Sequence, residues 1–397
     1  MKKVLLRGPL LTNSGYGVHS RQLFSWLYNR KDIDLSVECL SWGITSWILD
    51  ENFDKGIIGK IMKCSKPLLD SKYDATFQVL LPNEWKPELG VVNIGITAAV
   101  ETDKCNPEWI KNCNSMSHII VPSTFTKNVI KRSGSLKTKI TVIPEWFNSV
   151  VDNKSEVSKS LKNKEFEKID TDFNFLVLGQ LTSQKDKDDR KNLINTLKWC
   201  CEEFKDQEDV GIVLKTSLGK GTEIDKSMTR KFIKEKLPLI RKGSFPKIHL
   251  VHGNMPFEDI AGLYNHKKIK ALMSATRGEG YGLPLVEAAA AGLPIVVTNW
   301  SGHLEFLERD LIYPVDYKLE PITETKADGR IFIKDTKWAE VIPEDFKNNL
   351  RSVYSNYDKA KKKAKTLKKN VFSNFNRSAI CKKYDKLFDE EVITNVA

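Results

Sequence analysis

The chain has 397 residues, 41% apolar and 29% charged, which is enough for two domains with their own cores and excludes both disorder and a small disulfide scaffold. No run of about 18 apolar residues occurs, and Met1-Lys2-Lys3 leads into only a short apolar stretch before Arg7, so neither a membrane span nor a secretory leader is expected. Lys+Arg 63 against Asp+Glu 51 give a net charge of +12, which admits nucleic acid, an anionic membrane or a phosphorylated ligand as partner once the charge is located.

From the N-terminus, β-rich runs at 3–7, 33–40, 74–81, 91–97, 118–122 and 139–144 alternate with helical stretches, the first from about Gly17. That alternation predicts a parallel sheet covered on both faces. A polar, lysine-rich stretch follows and reads as a connection between domains. A second alternation then begins, with runs at 173–179, 210–216, 247–251, 270–275 and 294–298 and helices from Lys191, over 226–240, over 257–264 and from Leu283. The expected boundaries are 1–155, a linker at 156–172, 173–345, and a helical tail at 346–397 whose apolar positions Val371, Phe372, Phe375, Ile380, Tyr384, Leu387 and Phe388 predict a helix that packs on something.

The charge is spread over both halves: the first 150 residues hold 19 Lys+Arg and 14 Asp+Glu, the remainder 44 and 37. Seven lysines and no acid fall in 359–369, KAKKKAKTLKK, which reads either as the solvated face of a helix or as a contact for a polyanion or membrane. The cysteines, 7 in all, have no paired C-x-x-C spacing, so reduced thiols, a cytoplasmic location and no structural zinc are expected.

The most informative stretch is 274–305, SATRGEGYGLPLVEAAAAGLPIVVTNWSGHLE. A strand ends in Gly278-Glu279-Gly280-Tyr281-Gly282, and a helix opens with Pro284 in its first turn, where proline loses nothing. Such a loop aims backbone N–H groups at an anion, and the helix N-terminus adds positive potential, so a phosphate or diphosphate is expected there. Glu287 lies one turn into the helix and Glu279 in the loop; a carboxylate accepts two hydroxyl hydrogen bonds at once, which suits a diol.

Glu279 and Glu287, with the intervening GYGLPLVE, the AAAAGLP that follows and Gly302…Glu305, resemble the E-x7-E signature of family 4 glycosyltransferases. The resemblance implies the α/β GT-B fold, two Rossmann-like doubly wound domains facing a central cleft, with C-terminal helices crossing back to the first. It further implies retaining transfer from a nucleotide sugar, a UDP-sugar by expectation, with no cofactor and no metal. Glu279 would contact the donor sugar, Glu287 the ribose, and the amides of Gly280, Tyr281, Gly282 and Leu283 the phosphates. Lys191 matches the family's diphosphate lysine; Gln180 and Asp186 stand where its arginine is expected, leaving Arg190 or Lys215 to substitute. Asp186-Lys187-Asp188 has the letters of a metal-binding Asp-x-Asp but sits in a lysine-rich loop suited to phosphate. His252 and Asn254 fall where relatives surround the base, and His252 reads equally as an ordinary loop histidine.

In the first half, RGPLLTNSGYGVHSRQL places Ser14, Gly15, Tyr16 and Gly17 in a turn after the first strand. This resembles the family's N-terminal loop at the phosphates and acceptor, and it lacks the G-x-G-x-x-G spacing of a dinucleotide site. Glu101, with Asp103 as fallback, follows a strand in VETDKCNPEW and reads as a catalytic-site group that positions acceptor or sugar, with base catalysis as its second reading. Trp42 and Trp47 lie in a loop-like context where an exposed ring can stack on a base or sugar, with core packing the competing reading for each. The segments LSWGITSW, LPNEW and NIGITAAVET also resemble glycosyltransferases encoded by T-even-like and marine tailed phages, which implies double-stranded DNA with hydroxylated or hydroxymethylated pyrimidines as acceptor. A surface polysaccharide or lipid-linked glycan is the alternative acceptor, and a catalytically silent nucleic-acid-binding protein the alternative class. The oligomeric state stays open.

Overall fold

Strand-forming and helix-forming segments alternate through most of the chain. The computed structural model describes residues 1–160 and 164–394. In order, the first elements are β1 (Lys2–Gly8), α1 (Gly15–Leu27), β2 (Ile33–Cys39), α2 (Phe53–Cys64), β3 (Tyr73–Val79), β4 (Gly90–Ile96), α3 (Glu108–Asn114), β5 (His118–Val121), α4 (Thr124–Arg132) and β6 (Lys139–Val142). Next come α5 (Lys154–Ser160), α6 (Lys164–Glu167), β7 (Phe173–Leu178), α7 (Leu193–Glu203), β8 (Val210–Thr216), α8 (Glu223–Ile240), β9 (Lys247–His252), α9 (Phe257–Asn265), β10 (Ile269–Ser274), α10 (Leu283–Ala291) and β11 (Ile295–Thr298). The last are β12 (Tyr313–Val315), β13 (Tyr317–Pro321), β14 (Lys337–Val341), α11 (Pro343–Ser355), α12 (Tyr357–Asn374) and α13 (Arg377–Phe388).

Two six-stranded parallel sheets result, ordered β2-β1-β3-β4-β5-β6 and β12-β11-β10-β7-β8-β9, with a separate antiparallel β13-β14 pair. The inner strands are buried along most of their length, FNFLVL of β7 being typical, as parallel strands covered on both faces require. Gly292 ends the alanine-rich α10 in the left-handed region at φ +82, and the Leu293 N–H turns back to the Ala288 carbonyl at 3.0 Å, a glycine-terminated stop.

The chain forms two compact units: Met1–Trp146 with Gly329–Ile333 and Arg377–Ala397, and Phe147–Asp328 with Lys334–Asn376. Of the expected linker, Val157, Phe166 and Ile169 enter the second unit's core, and 161–163 lie outside the described residues. The expected tail divides at 376. In the first unit, Tyr384 and Phe388 of α13 pack against Trp26 and Phe77, and Asp385 accepts the Trp26 indole N–H at 2.9 Å. In the second, Ala360, Ala364, Leu367 and Val371 form the buried stripe of α12. All seven cysteines carry free thiols, and no described helix is long and apolar enough to cross a membrane.

Candidate functional site

In the second sheet the chain runs outward through β7, β8 and β9, then returns to place β10 on the other side of β7. The loops after β7 and β10 therefore leave neighbouring carboxyl ends where the direction of winding reverses, the crevice in which open α/β sheets bind ligands. Gly282 caps α10 at φ +103, and a Cβ there would also lie 3.2 Å from His303 and Leu285. Only glycine meets both demands.

Glu279 is the charged centre of this crevice. Its two carboxylate oxygens accept from Lys191 Nζ at 2.6 and 2.8 Å, one also from Arg190 at 3.3 Å and the other from Thr276 Oγ1 at 3.0 Å. Burial alone would push this carboxyl's pKa up; the adjacent Lys191 and Arg190 charges outweigh it and hold the group down at about 2, ionised at any working pH. Arg190 also donates to the Gly278 carbonyl at 2.7 Å, so it supports the loop as well as the charge.

The loop at 180–192 is built to deliver these two cations. Asp189 is buried and accepts from the Thr182 N–H and hydroxyl and from the Leu193 N–H at the start of α7. Asn192 holds the left-handed φ of +54 and donates to the Ala275 carbonyl at 3.0 Å. Lys191 accordingly precedes the helix, which begins two residues later than the sequence suggested. From the other loop, buried Arg277 donates to the Asp186 and Asp189 carbonyls at 3.0 and 2.6 Å and pairs with Glu340 at 2.7 Å. The carboxylates of the Asp-x-Asp letters are committed locally: Asp186 pairs with Lys236 at 2.8 Å, and Asp188 accepts from Thr323 and Thr325. Among the described residues no group of three metal-ligating side chains forms.

Behind Glu279, the loop after β11 closes in. The Glu279 N–H donates to Ser301 Oγ at 2.9 Å and its carbonyl accepts the Gly302 N–H at 2.8 Å. A Cβ on Gly302 would stand 2.0 Å from the Gly280 carbonyl oxygen, so glycine is obligatory at this contact. His303 is fully buried, its ring bonded to the Thr298 carbonyl at 2.7 Å, and burial lowers its pKa; a neutral imidazole braces the loop.

One turn into α10, Glu287 receives a hydrogen bond from the buried Tyr264 hydroxyl at 3.2 Å, and burial pushes its carboxyl up to about 7. Two glutamates eight residues apart thus have opposite electrostatics: one held as an anion by two cations, the other poised near neutrality.

Lys215 and His252 lie further along the same edge with local partners. Lys215 donates to the Gly253 carbonyl, and burial brings its ammonium down to about 8. His252 bonds Asp225 at 2.9 Å; Asp225 also accepts the N–H groups of Leu218, Lys220 and Gly221, stitching the loop before α8. Asn254 lies within 3.0 Å of where a Cβ on Gly221 would stand.

In the first unit, Ser14 caps α1 by accepting the Gly17 N–H at 2.9 Å, and a Cβ on Gly17 would strike the Thr12 carbonyl at 2.2 Å; Gly15 has open space around it. The Tyr16 hydroxyl bonds Thr97 Oγ1 and the Ala98 N–H, each at 3.0 Å, and its ring stacks on Trp42 at 4.0 Å. Burial raises the Tyr16 pKa, with the nearby Glu101 and Glu145 carboxylates adding to the rise. Glu101 therefore shares the carboxyl edge with Tyr16, in a loop where Ala99 takes a φ of +50. Trp47 is 45% exposed.

Sequence reasoning passed over Thr276, Arg277, Asp189, Tyr264, Ser301 and His303. Arg277 and Ser301-Gly302-His303 lie inside the stretch singled out at 274–305. Asp189 and Tyr264 carry no local signal, since both are defined by residues distant in sequence.

Residues 265–383 match the model of a family described as Family 4 Glycosyltransferase in conflict systems. By sequence, no curated protein matches the chain. Among solved structures it is similar to a glycosyltransferase from Rickettsia africae (13% identity, 99% of each chain, TM-score 0.65). It is also similar to a sucrose-phosphate synthase from Thermosynechococcus elongatus (13%, 98% and 99%, 0.62) and to Alr3699/HepE from Anabaena in complex with UDP and glucose (12%, 98% and 100%, 0.61). The shared fold is GT-B.

Proposed function

We propose that this chain, which has the GT-B fold, is a family 4 glycosyltransferase, a retaining enzyme that takes its sugar from a UDP-sugar and attaches it to the hydroxyl of a modified pyrimidine in double-stranded DNA. The observation that carries the donor reading is the convergence of Lys191 and Arg190 on Glu279 at the winding reversal of the second sheet. Two cations a hydrogen bond apart from a sugar-facing carboxylate suit a diphosphate joined to a sugar. Alr3699/HepE, whose complex holds UDP and glucose, is the kind of neighbour that supports UDP as carrier.

In this reading Lys191, Arg190 and the amides of Gly280 to Leu283 stabilise the departing diphosphate, Glu279 holds the sugar and Glu287 the ribose diol. The bond from the anomeric carbon to the phosphate oxygen breaks, the acceptor oxygen bonds that carbon on the same face, and its proton passes to the leaving diphosphate. No protein base is needed, so Glu101 positions the acceptor, along with the turn at 14–17. The DNA acceptor rests on the resemblance of the first-unit segments; the exposed Ile44, Trp47 and Leu49 at 71%, 45% and 65% favour instead an apolar acceptor such as a lipid-linked glycan. A panel of nucleotide sugars crossed with duplex DNA containing hydroxymethylated cytosine and with lipid-linked sugars, read by mass spectrometry, decides. Mass addition to the nucleoside supports the proposal; addition only to the lipid-linked sugar refutes the DNA acceptor.

A further inference from the structure

Part of the excess positive charge lies on one helix face that nothing in the proposed chemistry uses. On α12, Ala360, Ala364, Leu367 and Val371 face the core. At 100° per residue, Lys362, Lys365 and Lys369 centre about 180° from that stripe, with Lys359 at its edge. All four are exposed, they span about 15 Å, and none forms an ion pair with a described residue. Asp358, at the N-terminal end of the face, is taken by Lys361 at 2.9 Å.

This arrangement differs from that of several lysines elsewhere in the unit. Three lysines on its other helices are matched with a glutamate one turn away: Lys198 with Glu202, Lys226 with Glu223, Lys347 with Glu344. On α12 the lysines instead follow one another at spacings of three and four, where like charges repel. The ridge is narrow, because carboxylates border it on both sides. Asn370 bonds Glu308 at 2.6 Å, and Asp310 lies in electrostatic reach of Lys363 on one flank; Lys368 pairs with Asp152 at 2.7 Å on the other. No large apolar side chain is exposed anywhere in 343–376, so nothing there enters a bilayer, and a flat anionic surface would meet the flanking carboxylates as well as the lysines.

We propose that the Lys359, Lys362, Lys365 and Lys369 ridge of α12 is a docking surface for the phosphate backbone of a nucleic acid, a linear polyanion that lies along the lysines between the acidic flanks. The ridge deepens the DNA reading of the acceptor but stands on separate residues, so the two fail separately. Transfer to a free hydroxymethylated nucleoside tests the acceptor, and binding of unmodified duplex tests the ridge.

The test is fluorescence anisotropy of a labelled duplex of about 20 base pairs against the full chain across a salt series from about 50 mM. The variant K359Q/K362Q/K365Q/K369Q is expected to weaken binding at least about tenfold and to flatten the plot of log affinity against log salt by about 3 to 4. The variant K198Q/K226Q/K347Q, which removes paired lysines, is expected to change both much less. Unchanged UDP affinity in the quadruple variant confirms that it is folded. Failure of the wild-type chain to bind duplex at low salt, equal loss in the two variants, or binding to phosphatidylserine vesicles in place of duplex overturns the proposal.

Discussion

The loop after β1 in the first unit and the loop after β7 in the second hold equivalent places, each following the first strand of a parallel sheet where the winding reverses. Their chemistry is opposite. Residues 8–20 contain no Asp, Glu, Lys or Arg; the Ser14 hydroxyl serves a helix cap and the Tyr16 hydroxyl spans to Thr97 and Ala98. Residues 180–192 hold four cations and three acids, and the acids anchor the loop while Arg190 and Lys191 reach Glu279. Topology makes a crevice in both units, and in the second the side chains gather Lys191 and Arg190 at Glu279.

The comparison breaks most visibly at Lys191. Lys191→Met is expected to lower the rate of sugar transfer by about 10²–10³-fold, the scale of removing one preorganised donor from a developing anion, in steady-state kinetics at saturating acceptor; a loss under about threefold would place diphosphate neutralisation elsewhere. Asp189→Ala takes the anchor from both cations together. Losing its hydrogen bonds to Thr182 and Leu193 should destabilise the second unit by about 2–3 kcal/mol in denaturant unfolding and raise the donor KM more than it lowers kcat.

Glu287 sharpens the contrast through pH. With its carboxyl pushed up to about 7, the group is protonated below that pH and ionised above it, and in its proposed role the ionised form is the one that accepts both ribose hydroxyls. UDP affinity should therefore rise with pH through about 7, as followed by calorimetry, and Glu287→Gln should flatten the profile. Tyr264→Phe removes a donor to the charged form, so the midpoint should move to higher pH. The smallest effect is expected at the neutral loop: Ser14→Ala should cost about 1 kcal/mol of stability as a lost helix cap and leave UDP affinity unchanged. A drop in UDP affinity there would show that the first loop also serves the donor.

Much of the frame was legible because its signals are local. Alternating apolar runs mark the six strands of the first sheet and five of the second, β12 being too short to stand out, and the glycines at 278–282 with Pro284 mark the turn into α10, since turn and cap chemistry is written in adjacent residues. What pairs across the sequence was not legible. The Lys191–Glu279 contact joins residues 88 apart, and Arg190, offered only as a substitute beside Lys215, becomes Glu279's second cation because Asp189 and Asn192 shape the turn around it. Likewise, the contacts of His252 with Asp225 and of Lys215 with the Gly253 carbonyl join residues 27 and 38 apart. The tail's apolar positions announced a packed helix, but not that α12 and α13 would be divided between the two units.

The central claim is that the donor's diphosphate is met by the cations gathered at Glu279. Calorimetric titration of UDP into the wild-type chain and into Lys191→Met tests it without reference to sugar or acceptor. The account predicts that the substitution weakens UDP binding at least about tenfold, the equivalent of one lost charge-assisted contact. Equal UDP affinity in the two proteins would contradict it.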